Sequence, residues 1–368
     1  MNYILLVFIK IIVLFAWLML FALYATLAER KVSAVIQDRH GANRAKILGI
    51  SSFGIFQPFA DALKMLFKED YIPPFTDKFM FKFAPVITFF FSALVIIAIP
   101  FGEPVKIGKE LIKLQVIDPD IALLLIFALS SMSIYGIILG GWSSNNKYSF
   151  LGGMRASSQI ISYEVALILS VIGLIIVYPS LRLSEIVQYQ SALLWGWIPK
   201  WGIFLQPLAF IIFIIAAIAE TKRAPFDLPE SESEIIGFFL EYSGIRFGVY
   251  MLTDFVETIM LSLLIATLFL GGWNIPYLFS NLKLSDGTIF SGFLFPWGKQ
   301  LAVSMNWVSI LQIIAFQVKT IIVFVFLLLV RWTFPRLRFD QLMELGWKSL
   351  VPLALFNIVV TSVIIALL

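Results

Sequence analysis

A cluster of acidic side chains beside a long apolar run is the part of this sequence best suited to chemistry. Five carboxylates fall within fifteen positions, together with Lys222 and Arg223, and the five are Glu220, Asp227, Glu230, Glu232 and Glu234. The proton affinity of a carboxylate near a low-dielectric medium depends on its burial and on neighbouring charges. The rest of the sequence must explain why so much acid lies next to an apolar run.

Four further ionisable residues lie inside apolar runs: Glu164, Asp254, Glu257 and Lys319. A charge near the centre of a bilayer costs about 2.5–3.5 kcal/mol on insertion scales, so such groups are normally turned inward and paired. Any one of them could be a paired structural charge near the end of a span. The four together favour a proton relay, although the sequence does not show which residue pairs with which.

The composition shows what kind of protein holds these residues. Of 368 residues, 60% are hydrophobic and 14% are charged, whereas soluble domains are about half apolar and a quarter charged. Cys is absent and His40 is the single histidine. This excludes thiolate-held iron–sulfur clusters, Cys-ligated zinc and disulfides within the chain, and we predict no metal site. The small net charge of +4 indicates membrane topology rather than nucleic-acid binding.

The apolar runs predict an all-α integral membrane protein with about eight transmembrane helices and no separate soluble domain. A span needs about 20 apolar residues to cross about 30 Å of hydrocarbon. The candidate spans are residues 3–28, 80–100, 120–141, 159–178, 203–219, 248–270, 306–331 and 349–368. The first run is longer than that of a signal peptide and lacks a cleavage pattern, so we expect it to be retained. The fifth run is the shortest.

Lys and Arg residues predict the orientation. Eighteen lie in the odd-numbered connections and seven in the even-numbered ones, so the positive-inside rule places the first set in the cytoplasm and both termini outside. The acidic cluster is then cytoplasmic. The extracytoplasmic connections, about 101–118, 179–202 and 271–305, are rich in Trp, Pro and Gly and show no chemistry.

The first cytoplasmic connection contains an amphipathic pattern. Apolar residues recur at helical spacing on one face and charged residues occupy the other, the two sets being Phe56, Phe59, Leu63, Leu66 and Phe67, and Asp61, Lys64 and Lys68. The pattern predicts a helix that lies on the bilayer surface or that forms a cavity wall with Asp61 and Lys64 facing inward. The two interpretations are compatible. Pro73 and Pro74 follow the end of the pattern.

Local patterns predict structure in two other connections. Asp227, Pro229 and Glu230 fit a helix N-terminus, so Asp227 is either a cap or a functional carboxylate. A helix over 229–242 would place Glu230, Glu234, Gly237 and Glu241 within about 60° of one another, along a wet passage or on a solvated face. Segment 142–158 is rich in Ser, Asn and Gly and predicts a turn-rich connection.

Five separated motifs resemble one family. In chain order they are Ala28-Glu-Arg-Lys31, Gln57-Pro-Phe-Ala-Asp-Ala-Leu-Lys64, Ser157-Ser-Gln-Ile-Ile-Ser-Tyr-Glu164, Glu220-Thr-Lys-Arg-Ala-Pro-Phe-Asp-Leu-Pro-Glu230 and Arg336-Leu-Arg-Phe-Asp-Gln341. Together they resemble the H-subunit family of bacterial NADH-quinone oxidoreductase, the counterpart of subunit 1 of mitochondrial NADH dehydrogenase in respiratory complex I. The likeness covers essentially the whole chain.

The resemblance implies an enzyme subunit of the bacterial inner membrane that couples quinone reduction to proton translocation. It would enclose much of a quinone chamber, in segments 29–79 and 220–247, and would join the membrane arm of the complex to the peripheral arm. Quinone would be the substrate. The flavin, the iron–sulfur clusters and the NADH site would belong to partner subunits, and the remaining partners would be membrane-arm subunits and lipid.

The resemblance also implies roles for individual residues. The quinone chamber would be lined by Arg30, Arg39, Phe56, Phe59, Asp61, Lys64, Arg223, Phe226 and Asp227. The proton-coupling path would comprise Glu164, Glu220, Glu230, Glu232, Glu234, Glu241, Asp254 and Lys319.

The chain departs from the family pattern at two places. Gly41-Ala42-Asn43 replaces Gly-Pro-Asn and loses a rigid turn, and Asp254 stands where many relatives have Glu, so its reach depends on Glu257 or on water.

Two other classes of function compete with this interpretation. A membrane-bound hydrogenase, or a photosynthetic relative that takes electrons from ferredoxin, would contain much the same chain because soluble partners select the electron donor. The flanking genes would discriminate between these complexes. A stand-alone secondary transporter would need a carboxylate–lysine site at the midplane. The sequence shows no internal inverted repeat, and its densest chemistry lies at the cytoplasmic edge.

Overall fold

The computed structural model describes residues 3–47, 50–51, 53–107, 110–194, 197–228, 237–283, 289–294 and 300–367. Its α-helices are α1 (Tyr3–Ile36), α2 (Gln57–Phe67), α3 (Lys78–Leu94), α4 (Ala122–Ser143), α5 (Lys147–Val177), α6 (Leu183–Gln190), α7 (Gly202–Leu205), α8 (Pro207–Glu220), α9 (Gly244–Phe269), α10 (Met305–Thr333), α11 (Phe339–Glu344) and α12 (Val351–Leu367). A 3₁₀ turn, Val95–Ala98, extends α3, and a π-helical turn, Leu345–Leu350, joins α11 to α12.

Seven helices of the described part are long and apolar enough to cross a membrane. They are α1, α3 with its 3₁₀ extension, α4, α5, α9, α10 and the continuous helix Phe339–Leu367. The prediction of an all-α integral membrane protein is confirmed. The side on which the termini lie stays a prediction.

The fifth predicted span, 203–219, is divided into two helices at Gln206. Pro207 begins α8 and disfavours helical backbone in the preceding residue, and Gln206 has φ −134° and ψ 59°. The 14 residues of α8 extend about 21 Å at 1.5 Å per residue, which is less than the hydrocarbon thickness. The Gln206 side chain bonds two residues of α12, donating to Thr361 Oγ1 at 2.9 Å and accepting from Asn357 Nδ2 at 2.9 Å.

Short antiparallel hairpins occupy the connections, where the sequence predicts only loops. They are β1 (Lys46–Ile47) with β2 (Ile50–Ser51), β3 (Val105–Ile107) with β4 (Glu110–Ile112), β5 (Leu193–Leu194) with β6 (Ile198–Pro199), and the sheet of β7 (Leu278–Lys283), β8 (Ile289–Leu294) and β9 (Gln300–Ala302). Strands of two to six residues contain too few alternations to be recognised from sequence.

The predicted turn-rich connection over 142–158 is wrong for most of its length. Only residues 144–146 separate α4 from α5, and Asn146 caps α5 by accepting a hydrogen bond from Tyr148 N at 2.9 Å. The small residues that suggest a loop instead permit close packing, as is common between membrane helices. A Cβ added at Gly152 would lie 2.8 Å from Phe238 N. Gly152 therefore lets the chain around residue 238 contact α5.

The predicted helix over 229–242 is wrong from residue 237 onward, and residues 229–236 lie outside the described residues. Gly237 has φ +125°, residues 238–241 form a turn, and Tyr242 N donates to Phe239 O at 2.9 Å. Ser149 Oγ on α5 donates to Phe238 O at 2.5 Å. The carbonyl of Phe238, which would accept a backbone hydrogen bond in a helix, thus accepts one from the Ser149 side chain instead. Gly237 and Glu241 therefore do not lie on one helix face as predicted.

Helix α9 lies at the centre of the helix assembly. In its most apolar window 89% of residues are buried inside the protein, against 6% for α1. Helices α1, α2, α3, α8 and α10 all pack against it. Its hydroxyl residues are satisfied within the helix, since Thr258 Oγ1 donates to Asp254 O and Ser262 Oγ donates to Thr258 O, both at 2.7 Å. Central position makes α9 the element that can join groups from many helices.

Candidate functional site

The centre of the site is a buried ammonium between two carboxylates of α9. Lys222 Nζ lies 3.1 Å from Asp254 Oδ1 and 3.1 Å from Glu257 Oε2. Asp254 and Glu257 are three residues apart and share a helix face. Lys222 lies in the loop after α8 and is 3% exposed. The structure therefore fastens the beginning of the acidic segment to the central helix.

Burial and charge act in opposite directions on Lys222. Burial alone would lower the pKa of the ammonium, and the charges and hydrogen bonds of Glu257 and Asp254 raise it, with the result that its pKa lies above the ordinary value. Lys222 therefore carries a fixed positive charge at physiological pH.

Two serines complete the surroundings of Glu257. Ser92 Oγ on α3 donates to Glu257 Oε1 at 3.1 Å, and Ser133 Oγ on α4 approaches the same oxygen at 3.4 Å. Hydroxyl groups both donate and accept, and their hydrogen atoms rotate. Glu257 is thus connected to α3 and α4 by groups that can change their hydrogen-bond direction.

A small space of about 30 Å³ is lined by Glu257 and by a third carboxylate, Glu220. Its polar lining consists of these two residues with Ser92, Ser130 and Ser133, and its apolar lining comes from α3, α4, α5 and α9. A water needs about 10–15 Å³ and two or more polar partners, so the space fits about two water molecules. Glu220 Oε2 is buried, and the described residues provide no hydrogen-bond partner for it. That oxygen is available to water.

Glu164 on α5 also interacts with Glu220. The charges of Glu164 and Glu257 both act on Glu220, and Ser131 Oγ on α4 donates a hydrogen bond to Glu164 Oε1. Glu164 is 8% exposed. Glu164, Glu220, Asp254 and Glu257, here called the carboxylate cluster, therefore form one group inside the helix assembly.

A second ionic group joins the loop after α8 to α1 and α10. Glu29 Oε2 lies 3.6 Å from Arg223 Nη1, and its other oxygen contacts Arg331 Nη1. The Arg223 guanidinium also stacks 4.2 Å from the ring centre of Phe255. Arg336 Nη2 lies 2.8 Å from Asp227 Oδ2. The ion pair gives Asp227 a tertiary role. Whether Asp227 caps a helix stays a prediction, because residues 229–236 lie outside the described residues.

The predicted amphipathic helix is α2, and it ends where expected, at Phe67. Asp61 Oδ2 lies 2.8 Å from Arg30 Nη2, and Gln57 Nε2 donates to Asp61 Oδ1 at 3.1 Å. Leu63, Leu66 and Phe67 are 53%, 59% and 86% exposed. Much of the apolar face of α2 is thus not covered by other described residues of this chain.

The other residues predicted to line a chamber are distributed differently. Phe59 meets Tyr24 edge-to-face at 6.3 Å, whereas Phe226 is buried and lies 5.5 Å from Tyr163. Phe56 is partly buried and Lys64 is exposed. Arg39 is exposed and donates to Gln37 Oε1 at 2.7 Å. The structure brings Asp61 and Arg30 together but does not bring Arg39 to them.

Two members of the predicted proton path lie apart from the carboxylate cluster. Glu241 accepts a hydrogen bond from Asn146 Nδ2 at 2.7 Å, beside an open pocket of about 430 Å³. Lys319 Nζ donates to the carbonyls of Leu270, Gly272 and Asn274 at 2.7, 2.9 and 2.7 Å. An ammonium has three N–H donors, so these carbonyls at the end of α9 use all of them.

Several residues of the site were missed or left unplaced by sequence reasoning. Glu29, Arg331 and Arg336 complete ion pairs, and Ser92, Ser131 and Ser133 bond the carboxylates. Glu29 and Arg336 belong to recognised motifs, so the motifs were a signal for them. The serines carry no such signal because hydroxyl residues are common in membrane helices. Glu230, Glu232 and Glu234 lie outside the described residues.

Comparison with known proteins shows similarity over nearly the full length. A family model described as NADH dehydrogenase matches residues 9–362. The chain is 42% identical to an H subunit of NADH-quinone oxidoreductase from Cytophaga hutchinsonii, over 94% of this chain and 92% of that protein. It is 42% identical to the H subunit of Flavobacterium psychrophilum, over 97% and 96% of the two chains. For the H subunit of Bacillus mycoides the identity is 44%, over 94% and 89%.

Proposed function

Because the chain belongs to the NADH dehydrogenase family, we propose that it is the H subunit, in the membrane arm, of a proton-translocating NADH-quinone oxidoreductase. It is a multi-pass protein of the bacterial inner membrane and a subunit of a multi-subunit enzyme complex. We further propose that it encloses much of the quinone chamber and transmits the energy of quinone reduction to proton movement.

The observation that carries the proposal is the buried carboxylate cluster around the Lys222 ammonium. Ionisable groups inside a membrane protein are costly and normally functional. Here four carboxylates and one ammonium share a small interior region, with Lys222 Nζ at 3.1 Å from two of the carboxylates. Because the carboxylates outnumber the ammonium, the cluster can hold protons that pass from one carboxylate to another while its net charge stays constant.

The cluster supplies the parts of a proton path. Glu220 and Glu257 face each other across a space that fits about two waters, and serine hydroxyls contact Glu164 and Glu257. A proton can move between carboxylates along rotating hydroxyl groups and water. We propose that Glu164, Glu220 and Asp254 form this path with Glu257, and that Glu230, Glu232 and Glu234 connect it to the cytoplasmic side.

The residues of α2 and of the loop after α8 support a chamber next to this path. Asp61 of α2 pairs with Arg30 of α1, and the neighbouring Glu29 of α1 pairs with Arg223 and Arg331. Paired charges of this kind suit a polar quinone head, and exposed apolar side chains suit its tail. We propose that Arg30, Phe56, Phe59, Asp61, Lys64, Arg223 and Asp227 line the chamber, with Arg39 near its entrance and Phe226 packed behind its wall.

The partners follow from the chemistry that this chain lacks. Reduction of a quinone requires electrons as well as protons, and the absence of Cys leaves no thiolate ligands for an iron–sulfur cluster here. We propose that partner subunits of the peripheral arm carry the flavin and the clusters. The residues of this chain bind the quinone, exclude water from the apolar parts of the path and hold or pass protons.

Reconstitution tests the proposed function. The complex purified through this chain should reduce quinone with NADH and acidify or alkalinise proteoliposomes in step with that reaction, and the isolated chain should do neither. Movement of an ion or solute by the isolated chain in liposomes would contradict the proposal and support a stand-alone transporter.

A further inference from the structure

Lys222 has an unusual backbone position for a lysine. It lies just after the end of α8 with φ +55°, in the left-handed region that glycine occupies most easily at helix C-termini. This conformation directs the side chain inward, where Nζ contacts Asp254 and Glu257. The two contacts of the ammonium thus hold a strained backbone in place.

The carboxylates around Lys222 could carry more negative charge than its single positive charge can neutralise. Helix α9 contributes Asp254 and Glu257, α8 contributes Glu220, and Glu164 on α5 acts on Glu220. One ammonium neutralises one carboxylate charge. A low-dielectric interior does not tolerate several uncompensated negative charges, so the remaining carboxylates must retain protons.

The position of Lys222 Nζ also depends on the position of the loop that follows α8, segment 221–228. Gln159 Nε2 donates to Phe226 O of segment 221–228 and to Ala219 O at the end of α8, both at 2.7 Å. Leu337 N donates to Pro225 O of the same segment at 3.0 Å. Arg223 and Asp227 of the same segment form ion pairs with α1 and with the chain after α10. A movement of this segment would therefore carry the ammonium with it.

We infer that Lys222 is a positioning residue that sets the number of protons held by the carboxylate cluster. When Nζ leaves Asp254 and Glu257, one positive charge leaves the interior, and the cluster takes up one proton from water to replace it. When Nζ returns, one proton is released to water. The inference rests on the proposed function and specifies how motion of the loop becomes proton uptake.

The test uses infrared spectroscopy of the assembled complex at rest, where protonated carboxyl groups have their own C=O stretching signal. Lys222→Met removes the charge and keeps the length of the side chain. We expect it to show one added protonated carboxyl relative to wild type and a quinone reductase pH profile displaced to higher pH. Lys222→Arg should match wild type in both. Lys348→Met is the control, since Lys348 is exposed and pairs with Glu344 on the surface.

A charge-balanced variant tests the inference even if the complex with Lys222→Met fails to assemble. Lys222→Met combined with Glu257→Gln removes one charge of each sign, so it should assemble and show no added protonated carboxyl. An added carboxyl proton in this variant would overturn the inference, as would an unchanged carboxyl signal in an assembled Lys222→Met complex. Failure of the wild-type complex to couple quinone reduction to proton movement would instead overturn the proposed function.

Discussion

Asp254 Oδ1 lies 3.1 Å from Lys222 Nζ, which joins the middle of the membrane helix α9 to the loop that follows α8. The sequence leaves the reach of Asp254 open, because aspartate is one methylene shorter than the glutamate that the family resemblance implies at this position. The structure shows that the long lysine side chain bridges the gap, and that Glu257 contacts the same ammonium.

Asp254→Asn removes a negative charge and a group that can take up a proton, and it is expected to reduce NADH:quinone activity by about tenfold or more. Positioned proton-transfer groups typically contribute 10²–10⁴-fold, and Glu257 retains part of the function. Asp254→Glu should keep most of the activity. Quinone reductase assays on purified complex measure the effect, and wild-type rates in Asp254→Asn would exclude this carboxylate from the path.

Glu230→Gln or Glu234→Gln should impair quinone reduction and leave NADH oxidation by an artificial acceptor intact, because we propose that the flavin lies on another subunit. The ratio of the two activities in the same membranes is the measurement. Equal loss of both would indicate failed assembly and would remove these residues from a specific role in coupling.

Asp61→Ala should raise the KM for quinone and lower turnover, since it leaves Arg30 without the partner that it contacts at 2.8 Å. A loss of up to about fivefold is expected, because an ion pair with partly exposed side chains typically contributes about 0.2–1 kcal/mol. Lys78→Ala, near the start of α3, serves as a control at an exposed lysine. Unchanged turnover and quinone affinity would place Asp61 outside the chamber.

Lys319→Met should lower the thermal stability of the complex more than its turnover. The three carbonyls at the end of α9 lose their donor, and each unsatisfied buried polar group costs about 1–3 kcal/mol. Lys319→Arg should restore part of the stability. The place of Lys319 in the proton path remains a prediction, and it would gain support if Lys319→Met kept full stability but lost proton translocation.

The membrane helices were the most predictable part of the fold. A bilayer requires long apolar helices with internally bonded backbones, and their apolar runs are visible in the sequence. The break at Gln206 also had a sequence signal, because Pro207 follows it. The glycines and serines of 147–158 misled the prediction, since in a membrane bundle such residues permit close helix contact as readily as they form loops.

The site was predictable by residue type but not by pairing. The sequence and its family resemblance predict functional roles for Glu164, Glu220, Asp254 and Asp61, and those roles stay predictions. The structure places the first three in one buried cluster. Which cation pairs with which carboxylate depends on tertiary packing over long sequence separation. Ser133 illustrates this, since its contact with Glu257 joins residues 124 positions apart.

The most direct test of the account measures protons translocated per electron by proteoliposomes that contain the complex with Glu220→Gln. This change keeps the shape of a buried side chain that faces the space between Glu220 and Glu257, and the surface variant Glu344→Gln is its control. The account predicts that NADH oxidation by an artificial acceptor persists while quinone reduction and proton translocation fall together. Full quinone reduction with a wild-type proton-to-electron ratio would contradict it.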